Sequence, residues 1–316
     1  MTFLRRKSNL IKRNKKTDSL ILIITVFVSL LFSVILPSQI NRFVKDGLSL
    51  CFNVVIASVF PFLILTDLIT AFSHFENPGL LQKIFEKLFK INGYAVSAFI
   101  SGMLCGFPLG VKVAADLYKS GCLSKSECER LIGFSNNTGP AFLISGIGFS
   151  MRGSVSDGII LYFSMITASV LSGIITGIGK TPTNTRGIKT SVQYKFTESV
   201  SGAAINTLNI SAYIVLFSIV TGLVSLIVKN DFIISLILPF LEVSNAAKSL
   251  AITNVLTKSE TLILTSFAVS FSGISVHLQA KSFLRETTIS MKTYYFTKFL
   301  QGILASLVTV VIILIK

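Results

Sequence analysis

Long apolar stretches without a single charged residue dominate the hydrophobic pattern of the chain. Each is close to the roughly 20 residues that an α-helix needs to cross about 30 Å of hydrocarbon. These stretches are Ser19–Leu36, Leu48–Leu65, Gly158–Gly179, Ala203–Val228 and Phe299–Ile315. The pattern therefore predicts an all-α, polytopic integral membrane protein.

Two polar interruptions break this pattern. The first is GFPLG, Gly106–Gly110, and the second is SNNTGP, Ser135–Pro140. An unpaired backbone group in hydrocarbon costs several kcal/mol, so irregular backbone persists at membrane depth only when it is buried in protein or lines a wet cavity. We therefore expect both interruptions to face the protein interior; a loop at the membrane surface is the alternative.

Between the second apolar stretch and the first interruption, Gly79–Gly93 is amphipathic, with leucines on one face and lysines on the other. Such a helix lies in the membrane interface. After the interruption, Ser124 and Glu127 have the spacing of a capping box and predict the start of the helix that leads into SNNTGP.

The distribution of basic residues gives the topology. With the N-terminus inside, a full span over 94–118 would leave the basic linker Lys180–Lys195 outside, whereas a segment that enters and returns places it inside. Because short cytoplasmic loops are rich in Lys and Arg, the second arrangement is favoured. We predict a re-entrant hairpin around GFPLG.

The second half repeats features of the first. Pro61–Leu63 is echoed by Pro239–Leu241, and residues 105–117 align without gaps to 272–284. We predict a basic cytoplasmic tail, 1–18, and one transmembrane domain, 19–316. Its halves, about 45–180 and 200–316, are weakly similar, and each holds a broken or re-entrant helix hairpin. Such repeats point to a transporter site near the bilayer midplane.

Composition excludes several function classes. Only 14% of residues are charged, and the net charge of +15 is spread over short links between apolar stretches. This suits anionic lipid headgroups and gives no nucleic-acid-binding stripe. The four cysteines show no metal or disulfide spacing. Enzyme signatures are absent, and the sequence predicts no metal, no cofactor and no catalytic residues.

Three ionisable side chains stand out near the interruptions. Lys112 follows GFPLG and either meets an anionic substrate or is neutralised by Asp116 one turn later. His277 has a comparable place in the second half and is either a proton carrier or a packed side chain. Glu242 ends an apolar stretch as either a cation or proton ligand or an interfacial carboxylate.

Three motifs in order carry a family resemblance: GFPLGVKVAADLYKSGCLSKSECERLIGFSNNTGPAFLISGIG, PFLEVSN and FSGISVHLQAKSFL. They resemble the YlbJ (SpoVV) family of sporulation integral membrane proteins, within the nucleoside-recognition or Gate-domain superfamily. The likeness covers about residues 45–310. It implies a membrane transporter of a small organic anion, most specifically dipicolinic acid, across the mother-cell-derived outer forespore membrane.

The resemblance, together with the interruptions, predicts a set of substrate-binding residues. They are Gly106, Pro108, Gly110, Lys112, Asn136, Asn137, Pro140, Glu242, Asn245, Ser272, Gly273, Ser275 and His277. The alternatives are a nucleoside-type carrier and a non-transporting scaffold for spore envelope assembly. Expected partners are the anionic substrate and lipid, and a homo-oligomer is left open.

Overall fold

The computed structural model describes residue 31, residues 34–64 except 58 and 62, residues 79–183 and residues 196–316. Contacts divide the chain into a unit of residues 1–45 and a larger unit of residues 46–316, and the site described below lies in the larger unit. The predicted tail 1–18 and most of the predicted span Ser19–Leu36 lie outside the described residues.

The described residues are helical, without β-strands. The first half contains α1 (Pro37–Leu50), π1 (Cys51–Ile56), α2 (Leu80–Phe89), α3 (Val96–Cys105), α4 (Leu109–Lys119), α5 (Lys125–Ser135), π2 (Ala141–Met151) and α6 (Val155–Gly177). The second half contains α7 (Phe196–Ile227), α8 (Asp231–Leu241), α9 (Val243–Ile252), α10 (Lys258–Phe271), α11 (Gly273–Phe283) and α12 (Lys292–Ile315). The predicted all-α fold is confirmed.

Four helical segments among the described residues are long and apolar enough to cross a membrane, or five if α2 and the segment Gly93–Cys105, bent by 101°, count as one span. The four are Val155–Gly177, Phe196–Ile227, Lys258–Phe283 and Lys292–Ile315. Three of these segments each contain most of one predicted charge-free stretch. The fourth, Lys258–Phe283, consists of α10 and α11 and matches no predicted stretch. The chain is therefore a polytopic membrane protein, as predicted.

Helices α3 and α4 form a hairpin around Gly106–Gly110, and each is about half the length of a span. The two arms touch at glycines. A Cβ added to Gly102 would lie 3.2 Å from Gly110 Cα, and a Cβ at either glycine would lie within 2.1 Å of the Ser135 carbonyl oxygen. Only glycine at both positions lets the two arms close on the end of α5.

The two halves contain the same elements in the same order: a hairpin, a broken helix and a long helix. In the first half these are α3–α4, α5–π2 and α6, and in the second half α8–α9, α10–α11 and α12. Both broken helices begin with a complete capping box, Ser124 with Glu127 and Thr257 with Glu260. The predicted Ser124 cap is thus confirmed, and its counterpart in the second half is a finding of the structure.

This order corrects the residue alignment between the halves. Gly106 corresponds to Glu242 and Asn136 to Ser272, and each pair is 136 positions apart. The gap-free alignment of 105–117 with 272–284 instead matched a hairpin tip with a broken helix. Glycine followed by an apolar residue recurs at both kinds of break, so the local pattern could not separate them.

Candidate functional site

The tip of the first hairpin lies against the break of the first broken helix. After α3 ends at Cys105, Gly106 turns the chain with φ +85°. A Cβ at Gly106 would lie 2.7 Å from the Gly139 nitrogen, and a Cβ at Gly139 would lie 3.0 Å from the Cys105 carbonyl oxygen. The backbones at the two predicted interruptions are therefore in direct contact.

The second half repeats this contact. The chain breaks between α8 and α9 at Glu242, whose backbone is extended (φ −153°, ψ 129°). It breaks again between α10 and α11, where Ser272 and Gly273 have φ of 79° and 66°. A Cβ at Gly273 would lie 3.1 Å from the Leu241 carbonyl oxygen. Each hairpin tip thus meets the break of the broken helix that follows it in sequence.

Both contacts border one cavity of about 30 Å³. A volume of that size has room for about two water molecules and not for an organic ion. The lining residues are Val55, Val59, Leu104, Cys105, Gly106, Phe107, Thr138, Gly139, Ala141, Phe142, Ile210, Ile214, Glu242, Ser244, Val276 and Gln279. The structure therefore shows a closed state in which three of the four breaks, at Gly106, Gly139 and Glu242, line a small cavity directly. The helix that follows the fourth break contributes Val276 and Gln279 to the same lining.

Glu242 is the acidic side chain in that lining. It is only 2% exposed, and its Oε2 accepts hydrogen bonds from the Asn245 backbone nitrogen (2.6 Å) and from Asn245 Nδ2 (2.9 Å). Asn245 Nδ2 also donates to Ser218 Oγ on α7 at 3.1 Å. The carboxylate therefore caps the N-terminus of α9 and is linked to α7 through one amide.

Asn136 and Asn137 are fully buried, and α12 binds both. Lys298 Nζ donates to the Asn136 carbonyl oxygen (2.8 Å) and to Gln301 Oε1 (3.0 Å), and Gln301 Nε2 donates to Asn137 Oδ1 (2.7 Å). Asn136 Nδ2 donates to Tyr294 Oη at 2.9 Å. Both Asn136 Nδ2 and Asn137 Oδ1 are thus occupied by protein partners in this closed state, whereas Asn136 Oδ1 has no hydrogen-bond partner among the described residues.

Other contacts tie the same break to neighbouring helices. Asn137 Nδ2 donates to Ser169 Oγ on α6 at 3.1 Å, and Thr138 Oγ1 donates to the Val269 carbonyl oxygen on α10 at 2.7 Å. Val269 lies three residues before Ser272, so this hydrogen bond joins the two broken helices beside the cavity.

His277 belongs to the same polar network. Its Nδ1 lies 3.0 Å from Tyr294 Oη, which also accepts from Asn136. Ser275 is buried, and its Oγ has no hydrogen-bond partner among the described residues. Neither residue lines the cavity in this state.

The remaining predicted residues have local roles. Gly110 packs on the Ser135 carbonyl, while Pro108 and Pro140 precede α4 and π2. Lys112 is half-buried, does not line the cavity, and forms no ion pair within 4 Å in the described part of the chain. Its electrostatic interaction with Asp116 agrees with the predicted neutralisation, and the predicted contact with substrate stays a prediction.

Sequence reasoning missed Lys298, Gln301, Tyr294 and Gln279. Lys298 is completely buried, and no salt bridge joins it to a carboxylate among the residues that the structure describes. A signal was present, because Lys298 and Gln301 are three apart on an otherwise apolar helix and so share one face. Their partners, however, lie more than 160 positions away.

One curated relative supports the resemblance. The chain is 25% identical to the sporulation integral membrane protein YlbJ of Bacillus subtilis (strain 168), in an alignment that covers 83% of this chain and 74% of YlbJ. No family model and no solved structure matches the chain. The wider Gate-domain assignment therefore stays a prediction. Together with the all-helical polytopic fold, the match supports a YlbJ-like integral membrane protein.

Proposed function

We propose that the protein is a membrane carrier for a small organic anion, namely dipicolinate moved across the outer forespore membrane during sporulation. The observation on which this depends is that each hairpin tip contacts the break of a broken helix, and that both tips and the first of these breaks line one small cavity. Broken helices that face each other across a central cavity are typical of transporter binding sites. The sporulation setting follows from the name of the relative YlbJ.

An anionic substrate suits the helix ends at the breaks. Helices α4, π2 and α11 begin there at Leu109, Ala141 and Gly273, and none of the three receives a side-chain cap. Helix N-termini have free N–H groups and a partial positive charge, and both favour anions. Lys298 places a buried amino group directly behind the Asn136 break, where a bound anion would favour its protonated form. Dipicolinate is a small planar dianion that can accept several N–H donors at once.

Transport requires the cavity to open, because about 30 Å³ cannot hold dipicolinate. The hairpins α3–α4 and α8–α9 are short, and their tips touch the broken helices through backbone contacts at Gly106 and Gly273. Displacing one tip from its broken helix enlarges the cavity and exposes the N-termini at that break. We propose that alternating displacement of the two hairpins opens the site first to one side of the membrane and then to the other.

A nucleoside-type carrier is the second candidate, and the lining itself favours it. Phe107 and Phe142 could stack on a base, and Glu242 could accept hydrogen bonds from ribose hydroxyls. The scaffold alternative gains no support from the cavity, since a scaffold needs none.

Uptake into vesicles that contain only the purified protein tests the proposal. We expect labelled dipicolinate to enter and unlabelled dipicolinate to compete, whereas uridine does neither. Gly106→Ala should reduce uptake at least tenfold, because its Cβ would collide with Gly139. Gly121→Ala is the matched control, since Gly121 also has positive φ (75°) but has no atom within 4 Å of an added Cβ.

Uptake of uridine without dipicolinate would establish the nucleoside carrier instead. Absence of uptake of both compounds by a folded wild-type protein would reject transport and favour the scaffold.

A further inference from the structure

Glu242 combines three features that a helix cap does not require. It is 2% exposed, it lines the central cavity, and no Lys, Arg or His in the described part of the chain forms an ion pair with it. The equivalent hairpin tip in the first half has Gly106, so a carboxylate is not needed to make this kind of turn. A buried, unneutralised carboxylate inside a membrane protein marks an ion or proton path.

The neighbours of Glu242 suit a proton better than a metal cation. The hydrogen bonds to its Oε2 come from Asn245 N–H groups, and the Ser244 N–H and hydroxyl also interact with the carboxylate; the partial positive charges of these donors repel a metal ion. Gln279 lines the same cavity, is 4% exposed, and its Oε1 has no hydrogen-bond donor among the described residues. A protonated Glu242 can supply that donor directly or through a water molecule in the cavity.

The groups named here, on the helices that pack around Glu242, place no charged side chain in an ion pair with its carboxylate. On π1 the titratable side chain that interacts with it is the buried Cys51 thiol. Helix α7 contributes the Ser218 hydroxyl through Asn245, and α11 contributes Gln279. Lys248, on α9 itself, is exposed and makes no ion pair with Glu242.

We propose that Glu242 is the proton-binding site of the carrier, and that one proton moves with each anion; this rests on the proposed anion transport. A proton from water on the loading side binds the carboxylate and removes its repulsion of the anion. Proton and anion cross together, and after opening to the other side Glu242 returns the proton to water. Without the proton, a charged Glu242 would oppose an anion in the same cavity.

The experiment uses full-length protein in vesicles whose membrane potential is clamped at zero with potassium and valinomycin. A proton gradient of one pH unit, acidic on the loading side, should raise wild-type accumulation of labelled dipicolinate by up to about tenfold, since one coupled proton contributes a factor of ten per pH unit. A pH dye should record one proton taken up per dipicolinate. This measurement needs no variant.

Glu242→Gln keeps an oxygen that can cap α9 but cannot release a proton. We expect it to lose gradient-driven accumulation and to retain exchange of labelled for unlabelled dipicolinate. Substitution of a residue needed only for the fold would instead reduce accumulation and exchange to the same extent. Glu260→Gln is the matched control, because Glu260, like Glu242, accepts a backbone N–H at the start of a helix, but Glu260 is exposed. It should respond to the gradient like the wild type.

Each contrary result has a distinct meaning. Wild-type dipicolinate uptake that does not depend on the proton gradient, or that depends on a sodium gradient, overturns the inference and leaves the proposed transport intact. Loss of both exchange and accumulation in folded Glu242→Gln shows that Glu242 binds substrate and not the coupling proton. Absence of wild-type dipicolinate uptake overturns the proposed function and this inference together.

Discussion

Lys298 Nζ donates a 2.8 Å hydrogen bond to the main-chain carbonyl of Asn136, across 162 positions of sequence. The bond fixes the break in the first broken helix to the last long helix, α12. Lys298 is fully buried and donates to neutral acceptors, so a negatively charged substrate that entered the opened site would favour its protonated form.

Replacing Lys298 with methionine tests that role. We expect Lys298→Met to lower anion uptake at least tenfold while the protein still folds. Leaving the Asn136 carbonyl without a donor costs about 1–3 kcal/mol. This cost is offset because methionine removes the desolvation penalty of burying the Lys298 amine. Uptake and thermal unfolding in detergent are measured together, with Lys292→Met, exposed at the start of the same helix, as control. Unchanged uptake would remove Lys298 from the site.

The Gln301–Asn137 hydrogen bond should show energetic coupling. Gln301 Nε2 donates to Asn137 Oδ1 at 2.7 Å in the interior. In a double-mutant cycle of Asn137→Ala and Gln301→Ala, we expect a coupling free energy on the order of 1 kcal/mol, as for other hydrogen bonds between membrane helices. Reversible unfolding in mixed micelles gives the value. Asn137→Ala combined with Asn230→Ala, at the distant cap of α8, should be additive; equal coupling in both cycles would contradict the contact.

Alanine at Gly102 should disrupt the first hairpin. An added Cβ would lie 1.6 Å from the Ser135 carbonyl oxygen, so α3 must move away from α5. We expect a loss of more than about 2 kcal/mol in unfolding free energy and a low yield of folded protein.

Gly202→Ala is the control for this substitution. Gly202 lies in α7, and no atom lies within 4 Å of an added Cβ. Because alanine is the better helix former, this variant should be neutral or stabilised by up to about 1 kcal/mol. Similar losses at both glycines would show that the hairpin packing is not as described.

Stability should depend on pH through Glu127, which lies at the start of α5 outside the membrane-spanning helices. Burial raises the pKa of this carboxyl, but hydrogen bonds from Thr183 and Ser124 outweigh burial and hold the pKa below its ordinary value of 4.5. A lowered folded-state pKa stabilises the protein above the unfolded-state pKa, and this contribution is lost as pH falls through the folded-state value.

The Glu127→Gln variant isolates that contribution. The wild type should be more stable than the variant at neutral pH, and the difference should shrink as pH falls below about 4.5. Chemical unfolding at a series of pH values measures it. Glu286→Gln, whose side chain is 85% exposed, should show little such change. A difference that grows toward acid would contradict the hydrogen bonds assigned to Glu127.

Local sequence predicted the features that local chemistry determines. The breaks at Gly106 and Gly139 follow from residues that cannot continue a helix, and the capping box at Ser124 follows from hydrogen bonds within one turn. The long helices follow from charge-free stretches that must satisfy their backbone internally. These features did not depend on which other helices pack beside them.

The partners of each break were decided only by the tertiary structure. By sequence alone, Lys298 is an ordinary charge near the start of a span, and only the packing of α12 against Asn136 reveals its partner. Likewise, Glu242 is an interfacial carboxylate by sequence, and only the tertiary structure places it in the lining of a buried cavity. Short motifs also gave the wrong correspondence between the halves, because only the order of the helices shows which positions are equivalent. Sequence alone thus determined that this is a helical membrane protein with interrupted helices, since hydrophobicity and backbone hydrogen bonding act locally. Which buried charges meet which breaks was decided by packing between helices far apart in the chain.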